Sequence, residues 1–182
     1  MKKLVMILVM LCLAVPAIAY DDVMPTDAYT MATTDQTVFI LDVRTVAEWT
    51  WVGHPGVNKS DAGADLEGKV INASVMVEIL NELVENPFFI KSVKKMFPDK
   101  ENVTLITMCR SGGRSITAAK ALEAAGYKNV MNMLTGFEGG KDADGYRTVS
   151  GWKNDGLPYN NSRDGGYTIG FHGKGNAYGL YK

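Results

Sequence analysis

The stretch Asn102-Val103-Thr104-Leu105-Ile106-Thr107-Met108-Cys109-Arg110-Ser111-Gly112-Gly113-Arg114-Ser115 runs directly into Ile116-Thr117-Ala118-Ala119-Lys120-Ala121-Leu122-Glu123-Ala124-Ala125. Residues 102–108 are β-branched and apolar, the pattern of a strand covered on both faces. The Ala-rich run predicts a helix over 115–125, stopped by Gly126. Between them lies a loop that holds one thiol, two Arg and two Gly. In an open α/β sheet, ligands bind beyond the carboxyl ends of the strands, where this loop falls.

Outward from that loop the same alternation recurs. Thr37 to Val43 is a second buried-strand run, Asn129 to Leu134 a third, and Val70 to Ser74 a short strand. Pro25-Thr26-Asp27 opens a helix through Met31, and Val75 to Phe97 reads as helix broken at Asn86-Pro87. The segments 53–68 and 139–150 read as inserted loops. Together these predict an α/β fold with a central parallel sheet and helices on both faces.

Composition bounds the function. The 182 residues are 46% hydrophobic and 21% charged, enough for one domain with its own core and no disulfide framework. A net charge of −1 excludes a polycationic nucleic-acid binder. Met1-Lys2-Lys3, the apolar run from Leu4 and the small-residue site Ala17-Ile18-Ala19 form a secretory signal. Residues 1–19 are thus expected to be removed, leaving a periplasmic or secreted protein with no stable membrane insertion. Residues 20–158 make the domain, and 159–182, with six Gly and four Tyr, read as a mobile tail. Cleavage removes Cys12, so Cys109 is the sole thiol of the mature chain. Such a cysteine is either buried and inert or present for its reactivity.

The surrounding residues favour reactivity. Gly112 and Gly113 let successive N–H groups curl toward one point as an anion-binding nest. The following helix adds free N–H groups and positive dipole, and Arg110 and Arg114 add full charge. A thiol in such a setting ionises readily.

The loop CRSGGRS at 109–115 resembles the active-site loop of the rhodanese (thiosulfate sulfurtransferase) family. LDVR at 41–44, GKVINAS at 68–74 and the closing Gly151-Trp152 and Gly156-Leu157-Pro158 extend the resemblance over 26–158. It implies the rhodanese-like three-layer fold and sulfur transfer through a Cys109 persulfide, with no metal or organic cofactor. The donor would be a small sulfur-containing anion such as thiosulfate, the acceptor cyanide, a thiol or a thiol protein. Backbone N–H groups from Arg110 through Ser111, Gly112, Gly113 and Arg114 to Ser115 would stabilise the sulfur anions. Arg110 is the candidate for docking the donor, and Arg114 for bracing the loop. Asp42 and Arg44 are support residues, with Arg44 expected to pair with Glu48 across a helical turn.

Two other readings compete. One is a rhodanese-like module that binds an anion or a protein without turnover. The other is a phosphatase, disfavoured because that related branch carries Cys-x5-Arg, whereas Arg114 follows Cys109 after four residues. Lys69 stands where many relatives carry His, which makes His54 a weak substitute candidate. Trp49, Trp51 and Trp152 are expected to pack, and Asp142-Ala143-Asp144-Gly145 to form a polar turn rather than a calcium loop.

Overall fold

The computed structural model describes residues 20–57, 62–161, 167–172 and 176–178; the expected signal, 1–19, lies outside them. In chain order come β1 (Asp21–Val23), α1 (Pro25–Thr34), β2 (Val38–Asp42), α2 (Val46–Val52), β3 (His54–Pro55) and a 3-10 turn at Ala64–Leu66. Then follow β4 (Val70–Ala73), β5 (Met76–Ile79), β6 (Glu82–Glu85), α3 (Phe89–Met96), β7 (Thr104–Met108), α4 (Gly113–Ala124) and β8 (Asn129–Met133). The chain ends with β9 (Gly140–Lys141), β10 (Arg147–Val149), β11 (Tyr159–Asn160), β12 (Tyr167–His172) and β13 (Asn176–Tyr178).

The central sheet has the order β1-β8-β7-β2-β4-β12-β13 and is parallel except for β13. Successive residues of a strand point to opposite faces, so the innermost strands feed two cores. Leu41, Val43, Ile71, Ala73 and Leu105 meet α3 and α4 through Phe89, Val93, Ala118, Ala119 and Leu122. Val38, Ile40, Val70, Ile106 and Met108 meet α1 and α2 through Ala28, Ala32 and Trp49. The predicted three-layer architecture, helices on both faces of a parallel sheet, is the one observed. No helix among the described residues is long and apolar enough to cross a membrane.

Four expectations are corrected. Residues 76–85 form a hairpin rather than helix, turned by Leu80 and Asn81 at φ +53° and +65°. Val75, Val77, Ile79 and Val84 are β-branched, and their spacing satisfies both periods over so short a run. The segment 139–150, expected to be a loop, contains the pair β9–β10. The segment 159–182, where composition suggested no element, contains β11 against β3 and β12 alongside β4. Strand pairing through backbone groups needs few apolar side chains, so composition does not reveal it. Finally, Trp51 is 79% exposed, while Trp49 and Trp152 are buried.

Candidate active site

Cys109 follows the last residue of β7, at the carboxyl edge of the sheet, with 1% of its surface exposed. Two donors reach its sulfur. The Gly112 N–H lies 3.2 Å from Sγ, and Ser115 Oγ lies 3.4 Å away. That hydroxyl also donates to the Gly112 carbonyl at 2.7 Å. Its single hydrogen serves one acceptor at a time, so a thiol can donate to Ser115 and a thiolate can accept from it. Gly112 sits at φ +101°, where a Cβ would come within 2.2 Å of the Leu134 carbonyl oxygen. Helix α4 begins one residue later, and its first N–H groups have no intrahelical partner.

Two of the loop's carbonyls are held by the segment that follows β8. Phe137 N–H donates to the Cys109 carbonyl at 2.8 Å, and Glu138 N–H to that of Arg110 at 2.9 Å. This contact requires glycine at 136. Gly136 has φ +61°, and a Cβ there would stand 2.4 Å from the Cys109 carbonyl oxygen. Nothing in the sequence marks Gly136 or Phe137, because a Gly after a strand has the pattern of an ordinary turn.

Arg114 ties the loop to α2. Its guanidinium donates to both Glu48 oxygens, at 2.7 and 2.6 Å. Glu48 also closes a capping box with Thr45 at the start of α2. Burial opposes the charge on Glu48, but hydrogen bonds from Arg114 and Thr45 prevail and hold its carboxyl down at about 2. Arg114 is pushed up by its hydrogen bonds to Glu48 against the effect of burial, and further by the charges of Glu48, Cys109 and Asp42. Arg110 and Ser111 are exposed, and Arg110 makes no ion pair among the described residues.

The expected Arg44–Glu48 pair does not form. Arg44 folds back on Asp42 with Nε at 2.9 and 3.1 Å and Nη2 at 2.5 Å, both side chains fully buried. The nearer carboxylate pairs with the buried cation through Nε and Nη2, which leaves Glu48 for Arg114. Arg44 Nη1 has no hydrogen-bond partner among the described residues and lies within the guanidinium that stacks on Phe137. Arg44 also donates to the Gly53 carbonyl at 2.8 Å and stacks 4.1 Å from the Phe137 ring centre. Asn72 and Ser74 hold the Arg44 carbonyl at 2.9 and 2.8 Å. Asp42 and Arg44 thus brace the segment under Phe137, which in turn holds Cys109.

Of the weaker candidates, His54 is buried and stacked on Trp49 at 3.7 Å. Lys69 donates to the Asp35 carbonyl at 2.8 Å, at the amino ends of the strands and so away from Cys109. The Asp142 carboxylate accepts from the N–H groups of Asp144 and Tyr146 and from the Thr148 hydroxyl, closing the turn between β9 and β10.

A family model for the Rhodanese-like domain matches residues 24–143. The chain belongs to that family, and its fold is rhodanese-like. An uncharacterized protein of Rickettsia prowazekii is 33% identical over 139 residues, 76% of this chain and 96% of that one. The chloroplastic thiosulfate sulfurtransferase 16 of Arabidopsis thaliana is 32% identical over 118 residues, 65% of this chain and 76% of that one. Among solved structures, the crystal structure of Rv0390 from M. tuberculosis matches with a TM-score of 0.66 at 32% identity. That match covers 79% of this chain and all of the other.

Proposed function

We propose that this protein is a sulfurtransferase that carries a sulfane sulfur on Cys109, from thiosulfate or a similar anionic donor to a thiol or to cyanide. The observation that carries the reading is the Gly112 N–H aimed at a buried sulfur, with the Ser115 hydroxyl 3.4 Å from the same atom and able to turn its hydrogen to a thiolate. Cys109 also belongs to the apolar cluster beneath α4, but packing alone calls for no donor at the sulfur. The similarity to a protein named as a thiosulfate sulfurtransferase supports the same reading.

In the first step the Cys109 thiolate attacks the outer sulfur of thiosulfate. A new S–S bond forms, the old one breaks, and sulfite leaves with the electron pair. The charge now sits on the terminal persulfide sulfur, one bond length further out. Gly112 N–H and, once its hydrogen turns from the Gly112 carbonyl, Ser115 Oγ–H would stabilise the thiolate, and the positive start of α4 would favour the anion at either sulfur. Exposed Arg110 is the group we assign to docking the incoming anion. In the second step cyanide or a thiolate attacks the terminal sulfur, and Cys109 leaves as thiolate. Following the signal-like leader, we place the reaction in the periplasm or outside the cell.

The test is intact mass of the reduced mature protein before and after thiosulfate. A gain of one sulfur that cyanide reverses, absent in Cys109→Ser, is the expected result. No gain from thiosulfate, polysulfide or a low-molecular-weight persulfide would leave the non-catalytic binding module as the reading.

A further inference from the structure

We propose that the hairpin β5–β6 is a docking arm for a protein thiol acceptor whose surface around its cysteine is basic and apolar; this rests on the sulfurtransferase reading above.

The hairpin is rooted on the same edge of the sheet as Cys109. Val75 N–H donates to the Val43 carbonyl at 3.1 Å, and Ser74 Oγ donates to that of Arg44. Asn86 closes the base through the carbonyls of Val75 and Ser74 at 2.9 and 2.8 Å. β4, which leads into the hairpin, is two strands from β7, which leads into Cys109. Two strand spacings put the two roots about 10 Å apart.

Its tip works against the fold that carries it. Leu80 is 93% exposed, and Ile79 and Leu83 are about half exposed at 47% and 51%. Leu80 adopts φ +53° in a two-residue turn whose central positions suit Asn, Asp or Gly. A branched apolar side chain there gains neither burial nor an easy backbone. Such a local conflict with the fold is expected where a residue serves a partner.

The charge selects the partner. Glu78, Glu82 and Glu85 lie in register with Leu83, Ile79 and Met76 across the hairpin, so acid alternates with apolar surface. None of the three is in an ion pair among the described residues. Anionic membranes and nucleic acids would be repelled. A second copy packing hairpin to hairpin about a twofold axis would oppose like charges. A basic and apolar protein surface fits. Such docking matters because Cys109 is almost fully buried, so a protein thiol must arrive oriented, whereas cyanide needs no guidance.

The experiment loads Cys109 with sulfur and measures its discharge. The acceptors are cyanide, glutathione, a twenty-residue cysteine peptide flanked by Lys and Leu, and the same peptide with Glu replacing Lys. The basic peptide should discharge about ten-fold faster than the acidic one at low salt, with the gap closing at high salt. Leu80→Asn and the triple variant Glu78→Gln, Glu82→Gln, Glu85→Gln should each slow the basic peptide by about ten-fold. Loading by thiosulfate and discharge to cyanide should be unchanged, and Leu80→Asn should keep or raise the urea midpoint, since Asn tolerates positive φ. Equal peptide rates, or variants without effect, would overturn the docking arm while leaving the transferase reading intact. Self-association abolished by Leu80→Asn would assign the hairpin to a second copy instead. Failure to load, or to discharge to cyanide, would overturn the transferase reading and the docking arm with it.

Discussion

Glu48 holds Arg114 with both carboxylate oxygens, at 2.6 and 2.7 Å, and so joins the first turn of α2 to the first turn of α4. The loop that carries Cys109 is therefore anchored from outside itself. Each partner keeps about a quarter of its side chain exposed, so solvent screens part of the attraction.

Glu48→Gln should destabilise the protein by about 1–2 kcal/mol and slow persulfide formation, because Arg114 loses its charged acceptor. The folded carboxyl sits at about 2, below its ordinary value of 4.5. Its stabilisation is thus complete above the ordinary value and fades as pH falls toward the folded one. Urea midpoints of wild type and Glu48→Gln should converge as pH drops from 6 toward 2 (pH values on the order of the carboxylate range). A constant difference across that range would exclude the ion pair as its source.

Asp42 and Arg44 form a fully buried pair, where removing one member strands the other. Arg44→Met should cost about 3–5 kcal/mol, and Asp42→Asn with Arg44→Met together should cost less than Arg44→Met alone. Denaturant titration of the single and double variants checks this. A purely additive double variant would show that Arg44 acts through packing on Phe137 rather than through the charge of Asp42.

Gly136→Ala should impair sulfur loading more than stability. The new Cβ would meet the Cys109 carbonyl oxygen at 2.4 Å and the Arg110 carbonyl carbon at 2.8 Å, so the loop must shift. A shift on the order of 1 Å at the nucleophile can cost about a hundred-fold in rate. Single-turnover loading by thiosulfate, with circular dichroism to confirm the fold, gives the comparison. Normal loading would show that the contact with Gly136 does not position Cys109.

Trp49 and Trp51 stand two residues apart on α2 and should behave oppositely. Trp49 is 2% exposed and stacks on His54, so Trp49→Ala should cost about 3–5 kcal/mol. Trp51 is 79% exposed, so Trp51→Ala should stay within about 0.5 kcal/mol of wild type. Thermal unfolding of the pair is sufficient to check both.

The central strands were legible because they are covered on both faces. Continuous runs such as 38–42 and 104–108 have one reading when bounded by turns. The hairpin 76–85 is not legible in the sequence because its exposed, mixed pattern carries no such constraint. Short or edge-added elements, β9 with β10 and β12 beside β4, leave little trace in composition. The thiol, the glycines and the arginines of the loop were legible for a different reason: they are neighbours in sequence.

Sequence alone therefore determined the layered α/β architecture and the nucleophile-bearing loop, since hydrophobic period and local residue chemistry both act over short spans. Tertiary structure decided the partners: Arg44 with Asp42 rather than Glu48, Glu48 with Arg114 across 66 positions, and Gly136 against Cys109. Those choices depend on which loops converge at the carboxyl edge of the sheet. A buried charge takes whichever opposite charge the packed backbone brings within hydrogen-bond distance, and sequence spacing carries no record of that distance.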